Sequence, residues 1–320
     1  MKLNTNKKKV VLFAFFFITF TALYIAIRPI LETQKTNKNA QIEPKALGVN
    51  IEAARGDVLE PTKLLPVKNR TSNIGLEGIS ASAYSVVDEN SRIELMEKQP
   101  HLKLRIASLT KLMTALLAYE KLTPDEYIKI SGEDIMNINP SLGLRAGDEI
   151  KVLNLIEAAM VCSANDAGKA LANRVQKNEE RNFAELMNQK AVILGLSETN
   201  FSNPLGFDSG ENFSSISDLK SLVKHTEQFA VFKNLGKAVR ISFGSKAGRD
   251  FTCKASNKLV GKNIEVENIK TGYTVIAKGS IIARVKRGGK SLIIFVIGSE
   301  DREKDLLQLS EEAFNSFDWE

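Results

Sequence analysis

The chain has 320 residues, of which 43% are hydrophobic and 26% are charged, an ordinary composition for one sizeable globular domain or two small ones. The net charge is +6, but lysines among the first nine residues supply much of it, and the remainder is close to neutral. The sequence also lacks a stripe of lysine and arginine with interleaved aromatic residues, so we exclude a nucleic-acid-binding protein.

The cysteines and histidines are too few for a disulfide framework or a metal site. Cys162 and Cys253 each lie in an apolar run, which favours small buried hydrophobic side chains over a bridge. Neither His101 nor His225 has a cysteine, a histidine or a paired carboxylate at ligand spacing. We therefore expect no metal and no cofactor.

Residues 1–28 have the pattern of a cytoplasmic tail followed by a membrane anchor. The run 10–27 carries no charge and is close to the roughly 20 apolar residues that span a bilayer. Lysines in front of it place the N-terminus in the cytoplasm and the rest of the chain outside. A cleaved signal peptide is the alternative, although the run ends without a small-x-small cleavage site. Both interpretations put the folded part outside the cytoplasmic membrane.

Beyond the anchor, residues 29–75 are polar, aperiodic and interrupted by prolines, which predicts an extracytoplasmic linker. A folded domain is predicted over 76–320. It opens with a hairpin pattern over 79–98 that turns at Asp88, Glu89 and Asn90. A mainly helical stretch follows, then strand patterns at 238–243, 267–289 and 291–299 with a turn at Gly288 and Gly289, and a closing amphipathic helix. This order predicts an α+β fold, with an antiparallel sheet flanked by helices and an inserted all-helical lobe.

A serine and a lysine lie three residues apart at the start of an apolar helix pattern over 105–122. Ser108 and Lys111 share one face of its first turn, and apolar residues around the helix predict that it is buried. Burial lowers the pKa of a lysine amine, and a neutral lysine can take the proton of a serine hydroxyl. The same spacing recurs at 217–220 and 221–224 on a helix that looks exposed, so the spacing alone is weak evidence.

Two further motifs strengthen the case for a reaction centre. Ser163 and Asn165 interrupt an apolar helical run, where serine can pass protons and asparagine can bind an amide; a helix cap is the alternative. Lys270 and Thr271 lie in a strand pattern, where they can hold a carboxylate, and Gly272 lets a substrate backbone come close. An exposed edge lysine is the alternative there. The three motifs in this order favour one catalytic site.

Together, the motifs resemble the signature of penicillin-binding proteins and class A β-lactamases. The resemblance covers about residues 79–317 and looks most like the serine-type D-alanyl-D-alanine carboxypeptidases, the low-molecular-mass penicillin-binding proteins. The blocks that carry it are RIASLTKLMTALLAYE, LGLRAGDEIKVLNLIEAAMVCSANDAGKALA, LGLSETNFSNPLGFD and NIKTGYTVIAKGSIIARVKRGGKSLIIFVIGSEDRE. It implies a β-lactamase/transpeptidase-like fold for the domain at 76–320.

The resemblance also implies a role for each matched residue. Ser108 would be the nucleophile that forms the acyl-enzyme, Lys111 its general base and Ser163 a proton relay. Asn165 would bind the peptide amide. The remaining substrate contacts would be Lys270, Thr271 and Arg302 at the terminal carboxylate, and an oxyanion hole made by the backbone N–H groups of Ser108 and Tyr273 beside Gly272.

The implied activity is removal of the terminal D-alanine from peptidoglycan stem peptides, with β-lactam antibiotics as acylating inhibitors of the same serine. The same residues would serve a DD-endopeptidase, which is an open alternative. A β-lactamase is less well supported, because the segment between Ser163 and Lys270 lacks a Glu-x-x-Leu-Asn motif. A catalytically dead wall-binding scaffold is the non-enzyme alternative.

Overall fold

The structure is a computed structural model that describes residues 64–68, 75–136, 138–208, 211–262 and 265–320. The predicted anchor at 10–27 lies outside these residues. Among the residues described, no helix combines the length and the apolar character needed to cross a bilayer.

Strands lie towards both ends of the described chain and most helices lie between them, as the sequence pattern predicts. The strands are β1 (Pro66–Lys68), β2 (Ala83–Asp88), β3 (Glu94–Lys98), β4 (Tyr127–Lys129), β5 (Glu149–Lys151), β6 (Arg240–Gly244), β7 (Asp250–Lys254), β8 (Glu265–Thr274), β9 (Lys278–Arg287), β10 (Lys290–Ser299) and β11 (Phe317–Trp319). The α-helices are α1 (Lys111–Lys121), α2 (Val152–Val161), α3 (Asn165–Glu179), α4 (Phe183–Ile193), α5 (Ile216–Thr226), α6 (Ala230–Leu235) and α7 (Arg302–Ser316). Short 3₁₀ helices span Ala107–Thr110 and Gly132–Asp134.

The centre of the domain is a five-stranded antiparallel sheet in the order β3-β2-β10-β9-β8. Successive side chains of a strand point to opposite faces, and β10 divides its residues accordingly. Ile293 and Phe295 join the core formed with the helical lobe, whereas Leu292 and Ile294 join a second core with Leu306 of α7. The sheet is therefore covered by helices on both faces, which confirms the predicted α+β fold.

The predicted hairpins also form. Strands β2 and β3 pair antiparallel around the turn expected after Asp88. Gly288 and Gly289 connect β9 to β10 with φ values of 54° and 77°, a conformation that suits glycine. Strand β8 is the last strand of the sheet, so its outer edge is available to the helical lobe.

Part of the segment predicted as a linker forms a strand instead. Strand β1 pairs antiparallel with β11, with Val67 opposite Asp318, and two backbone hydrogen bonds join Leu65 to Glu320. The partner strand lies at the far end of the sequence, so no local pattern in this proline-containing segment indicates the pairing. The boundaries of the linker and the domain otherwise stay predictions.

The prediction for the cysteines is wrong. Cys162 and Cys253 form a disulfide, with their Cα atoms 6.0 Å apart and a sequence separation of 91. Cys162 caps α2, and the backbone N–H of Ser256 just after β7 donates to the carbonyl of Val161 at 2.9 Å. Tertiary pairing of the end of α2 with the chain after β7 brings the two thiols together, and a count of cysteines cannot indicate it.

We expect loss of this disulfide to lower the free energy of unfolding by about 2–4 kcal/mol, because the bridge restricts a long loop of the unfolded chain. Urea unfolding with and without a thiol reductant measures the difference. A Cys162→Ala/Cys253→Ala double variant is the control, since its stability should not respond to the reductant. Equal stability of the oxidised and reduced wild-type chain would contradict the expectation.

Candidate active site

The segment that carries Ser108 enters helix α1 through a tight 3₁₀ turn. Ala107 has a φ of 46°, and the hydroxyl of Thr110 donates to its carbonyl at 2.9 Å. Helix α1 is buried on all sides over its first eight residues, as its apolar pattern predicts, and its end at Glu120 and Lys121 is exposed. The buried residues of α1 are Lys111, Leu112, Met113, Thr114, Ala115, Leu116, Leu117 and Ala118.

Lys111 and Ser108 are in direct contact. The Nζ of Lys111 lies 2.8 Å from Ser108 Oγ and donates to the carbonyl of Leu205 at 3.0 Å. The lysine side chain is fully buried, with 0% of its surface exposed. Gly168 of α3 leaves room for it, because a Cβ there would lie 2.9 Å from Leu205 Cδ2 and 3.6 Å from Lys111 Cε. The contact that the three-residue spacing predicts is therefore formed, and its lysine lies in the core.

Burial sets the charge state of this lysine. Desolvation lowers the pKa of Lys111 to about 7, because a buried ammonium loses its hydration. Near neutral pH, a substantial fraction of the molecules therefore holds a neutral amine beside Ser108 Oγ. A neutral amine at this distance can accept the hydroxyl proton, which makes the oxygen a nucleophile.

Ser163 and Lys270 form a second serine–lysine pair. Ser163 lies between α2 and α3 with a φ of 62°, and Lys270 is on β8. The Nζ of Lys270 donates to Ser163 Oγ at 2.8 Å and to the carbonyl of Thr271 at 2.8 Å. Lys270 is fully buried, so the alternative of an exposed edge lysine does not hold.

The charge of Lys111 acts on the second pair. The pKa of Lys270 is lowered well below its usual range, chiefly by burial and then by the positive charges of Lys111 and Arg302. Lys111, Lys270 and Arg302 thus lie close enough to interact electrostatically, and Lys111 contacts Ser108. Such a site favours an anionic group, for which a substrate carboxylate is the simplest candidate.

Asn165 is hydrogen-bonded to the loop before β5. Its Nδ2 donates to the carbonyl of Ile138 at 3.0 Å, and its backbone N–H donates to the carbonyl of Pro140 at 2.7 Å. The next residue, Asp166, accepts hydrogen bonds from Ser141 Oγ, and from the backbone N–H groups of Leu142 and Leu144. Both side chains therefore organise the loop 138–144. The predicted contact of Asn165 with a substrate amide stays a prediction.

Strand β8 lies directly against the segment that carries Ser108. A Cβ on Gly272 would lie 2.9 Å from the carbonyl oxygen of Ile106 and 3.0 Å from the backbone nitrogen of Ser108. Tyr273, the next residue, keeps 66% of its surface exposed. Ser108 and Tyr273 are the two residues predicted to supply oxyanion donors. The close approach of Gly272 to the Ser108 segment brings them near each other.

Thr271 precedes Gly272 on β8, and Arg302 contacts Gly272 from α7. The Oγ1 of Thr271 is 2.6 Å from the hydroxyl of Ser256, which also donates to the carbonyl of Val161 at 3.1 Å. Arg302, the first residue of α7, donates from Nη1 to the carbonyl of Gly272 at 2.7 Å. Direct contacts therefore join Ser108 to Lys111, Ser163 to Lys270, and Gly272 both to the Ser108 segment and to Arg302.

Sequence reasoning missed several residues that surround Lys111 and the Ser108 segment. The carbonyl of Leu205 accepts from Lys111, and its loop is held by Asn203 Oδ1, which accepts from the backbone N–H groups of Leu205 and Gly206 at 3.1 and 2.7 Å. A Cβ on Gly206 would lie only 1.8 Å from the carbonyl oxygen of Ala107. The asparagine three residues before a glycine is a turn signal that could have marked the loop.

The relatives of the chain are consistent with this geometry. The sequence model of Peptidase S11, described as D-alanyl-D-alanine carboxypeptidase, matches residues 68–301. The D-alanyl-D-alanine carboxypeptidase DacF of Bacillus subtilis is 27% identical over 257 residues, which are 78% of this chain and 65% of DacF. DacC of Escherichia coli is 30% identical over 247 residues, 69% of this chain and 57% of DacC. The chain thus spans less than two thirds of the length of these curated relatives.

Solved structures show the same fold. The Streptomyces K15 DD-transpeptidase has a TM-score of 0.67 at 25% identity, over 74% of this chain and 98% of that one. Penicillin-binding protein D2 from Listeria monocytogenes, in its ampicillin-bound form, has a TM-score of 0.63 at 27% identity, over 74% and 99% of the two chains. The match over 68–301 covers well over half of the sequence. The chain therefore belongs to the D-alanyl-D-alanine carboxypeptidase family, Peptidase S11.

Proposed function

We propose that this protein removes the terminal D-alanine from peptidoglycan stem peptides, with Ser108 as the nucleophile and Lys111 as its base. The 2.8 Å contact between the Ser108 hydroxyl and the fully buried amine of Lys111 carries the proposal. The names of the curated relatives support the substrate class. The proposed reaction uses only side chains and backbone groups of the chain, so the enzyme would need no metal or organic cofactor.

Acylation begins when Lys111 takes the proton of Ser108. The serine oxygen then attacks the carbonyl carbon of the penultimate D-alanine, and the carbonyl oxygen becomes an oxyanion. The backbone N–H groups of Ser108 and Tyr273 would stabilise that charge; one such donor is typically worth about 10²–10³ in rate. The C–N bond breaks, the departing D-alanine nitrogen receives a proton, and water later hydrolyses the ester on Ser108.

The second serine–lysine pair supports the leaving group. Ser163 Oγ, 2.8 Å from the Nζ of Lys270, is suited to relay a proton to the departing nitrogen. Lys270 and Thr271 would hold the terminal carboxylate, because an anion offsets the cost of burying a lysine without a charged partner. Asn165 would contribute the amide contact beside them.

Intact mass spectrometry tests the nucleophile and the class of enzyme together. We expect one covalent adduct after incubation with penicillin, mapped to Ser108, and release of D-alanine from a stem pentapeptide. Ser108→Ala should lose both activities, while Ser217→Ala, which belongs to a Ser-x-x-Lys on α5, should keep them. If Ser108→Ala retained both activities, the proposed function would be contradicted.

The pH profile of acylation follows from the lowered pKa of Lys111. Below about 7 the amine is protonated and cannot accept a proton, so the rate should fall about tenfold per pH unit; above that pKa it should level off. Rapid-mixing measurements with a labelled penicillin between about pH 5 and pH 9 give the profile. A rate still rising steeply at the alkaline end would indicate a lysine with its ordinary pKa of 10.5.

The compartment is part of the proposal. We infer that the folded domain works on the outer face of the cytoplasmic membrane, attached through residues 10–27. The Cys162–Cys253 disulfide supports the location, because such bridges persist mainly in oxidising compartments. Fractionation of cells that produce the full chain, with protease added from outside, tests it; a protected domain would contradict the assignment.

A DD-endopeptidase is the second candidate. One curated relative, the D-alanyl-D-alanine endopeptidase of Escherichia coli, is 28% identical over 227 residues, 68% of this chain and 71% of that protein. The chemistry at Ser108 would be the same, and only the leaving group would differ. Purified dimeric muropeptides separate the two activities: cleavage of the cross-link faster than release of terminal D-alanine would favour the endopeptidase.

A further inference from the structure

Arg302 contacts the peptide unit that holds one of the two proposed oxyanion donors. Its Nη1 donates to the carbonyl of Gly272 at 2.7 Å. The same peptide unit carries the N–H of Tyr273. In a trans peptide the C=O and the N–H point in opposite directions, so the Tyr273 N–H points away from Arg302. The arginine and the forming oxyanion would therefore lie at opposite ends of a single amide dipole.

The arginine is held in this position by packing and hydrogen bonds. Its side chain is only 15% exposed, and its Nε donates to Glu303 at 3.1 Å. Asp305 fixes the first turn of α7 to the end of β10, since it accepts from Ser299 Oγ at 2.6 Å. A Cβ on Gly279 would lie 3.3 Å from the Cβ of Arg302, so this glycine leaves room for the arginine stem.

A guanidinium bound to a carbonyl draws electron density from the amide. The amide N–H then becomes a stronger donor, because hydrogen bonds that share one peptide unit reinforce each other. We propose that Arg302 is a positioning residue that polarises the Gly272–Tyr273 peptide, so that the Tyr273 N–H binds the oxyanion more strongly. This inference rests on the proposed function of Ser108.

This role differs from the one that the resemblance implies for Arg302. A carboxylate-binding arginine acts only on substrates that carry the carboxylate. An arginine that polarises the peptide acts on any substrate that forms an oxyanion at Ser108. Reinforcement of about 10–30% on a donor worth about 10²–10³ in rate corresponds to an effect of about two- to eightfold.

The test compares two thioester substrates of the purified chain. Both carry an N-acyl-D-alanyl group; one leaving group ends in a carboxylate and the other in the neutral amide. We expect Arg302→Gln to slow acylation about two- to eightfold on both substrates, with Arg302→Lys retaining part of the rate. Lys278→Gln is the matched control, because this cation at the same end of the sheet pairs with Glu300 at 2.6 Å.

A spectroscopic readout separates polarisation from a structural effect. With a ¹³C-labelled acyl carbonyl, the infrared band of the acyl-enzyme should move to higher frequency in Arg302→Gln, because the carbonyl receives weaker hydrogen bonds. Slowing on the carboxylate substrate alone, slowing without a band shift, or no slowing would each overturn the inference. If the wild-type chain formed no acyl-enzyme, the proposed function itself would fail, which is a different result.

Discussion

Replacing Lys111 by arginine is expected to abolish acylation, with a loss of about 10²–10⁴ in rate, the usual contribution of a general base. The substitution keeps the positive charge and removes the base, because a guanidinium is not deprotonated in proteins. Burial lowers the pKa of Lys111 to about 7. A buried arginine in its place would stay protonated at the same pH. The rate of adduct formation with a labelled penicillin, followed by intact mass, is the measurement.

The chain contains its own controls for this prediction. Lys220 and Lys224 have the same Ser-x-x-Lys spacing on α5, yet Lys220 pairs with Glu94 and Glu97 on β3. Their arginine variants should acylate at the wild-type rate. Lys111→Met guards against misfolding, because it removes the amine without adding bulk; it should fold and stay inactive. Acylation at the wild-type rate by Lys111→Arg would show that another group takes the proton.

Much of the fold could be predicted because the cues are local. The first eight residues of α1 follow an apolar pattern that predicts burial, and the structure buries all eight. Gly288 and Gly289 mark the turn between two long strands that do pair. Strand β1 carries no such cue, since its three residues pair with a strand at the other end of the chain.

Only the site residues that act through their side chains could be predicted from the sequence. Ser108 and Lys111 are three residues apart on one turn, so their contact follows from helix geometry. The other acceptor of Lys111 is the carbonyl of Leu205, 94 residues away, and a backbone carbonyl has no side-chain signature. The Cys162–Cys253 bridge was missed for a related reason, because the partners meet only through tertiary structure.

The sequence and the structure explain the glycine at position 272 in different ways. The sequence suggests that glycine admits a substrate backbone. In the structure a Cβ would first meet the protein itself, 2.9 Å from the carbonyl oxygen of Ile106 and 3.0 Å from the backbone nitrogen of Ser108. Neither atom belongs to a flexible side chain that can move aside. The glycine therefore sets the spacing between β8 and the nucleophile.

Gly272→Ala is expected to slow acylation about 10- to 100-fold, because a displacement on the order of 1 Å between Ser108 and the Tyr273 N–H costs up to about 10² in rate. Stability should change much less than activity, since a small shift of the edge strand β8 relieves the contact. Gly132→Ala is the matched control: a Cβ there meets nothing within 4 Å, so both properties should stay at wild-type values. Acylation by Gly272→Ala at the wild-type rate would show that the spacing tolerates a methyl group. The glycine would then serve substrate access alone, and Gly272→Ala should instead weaken binding of the stem peptide.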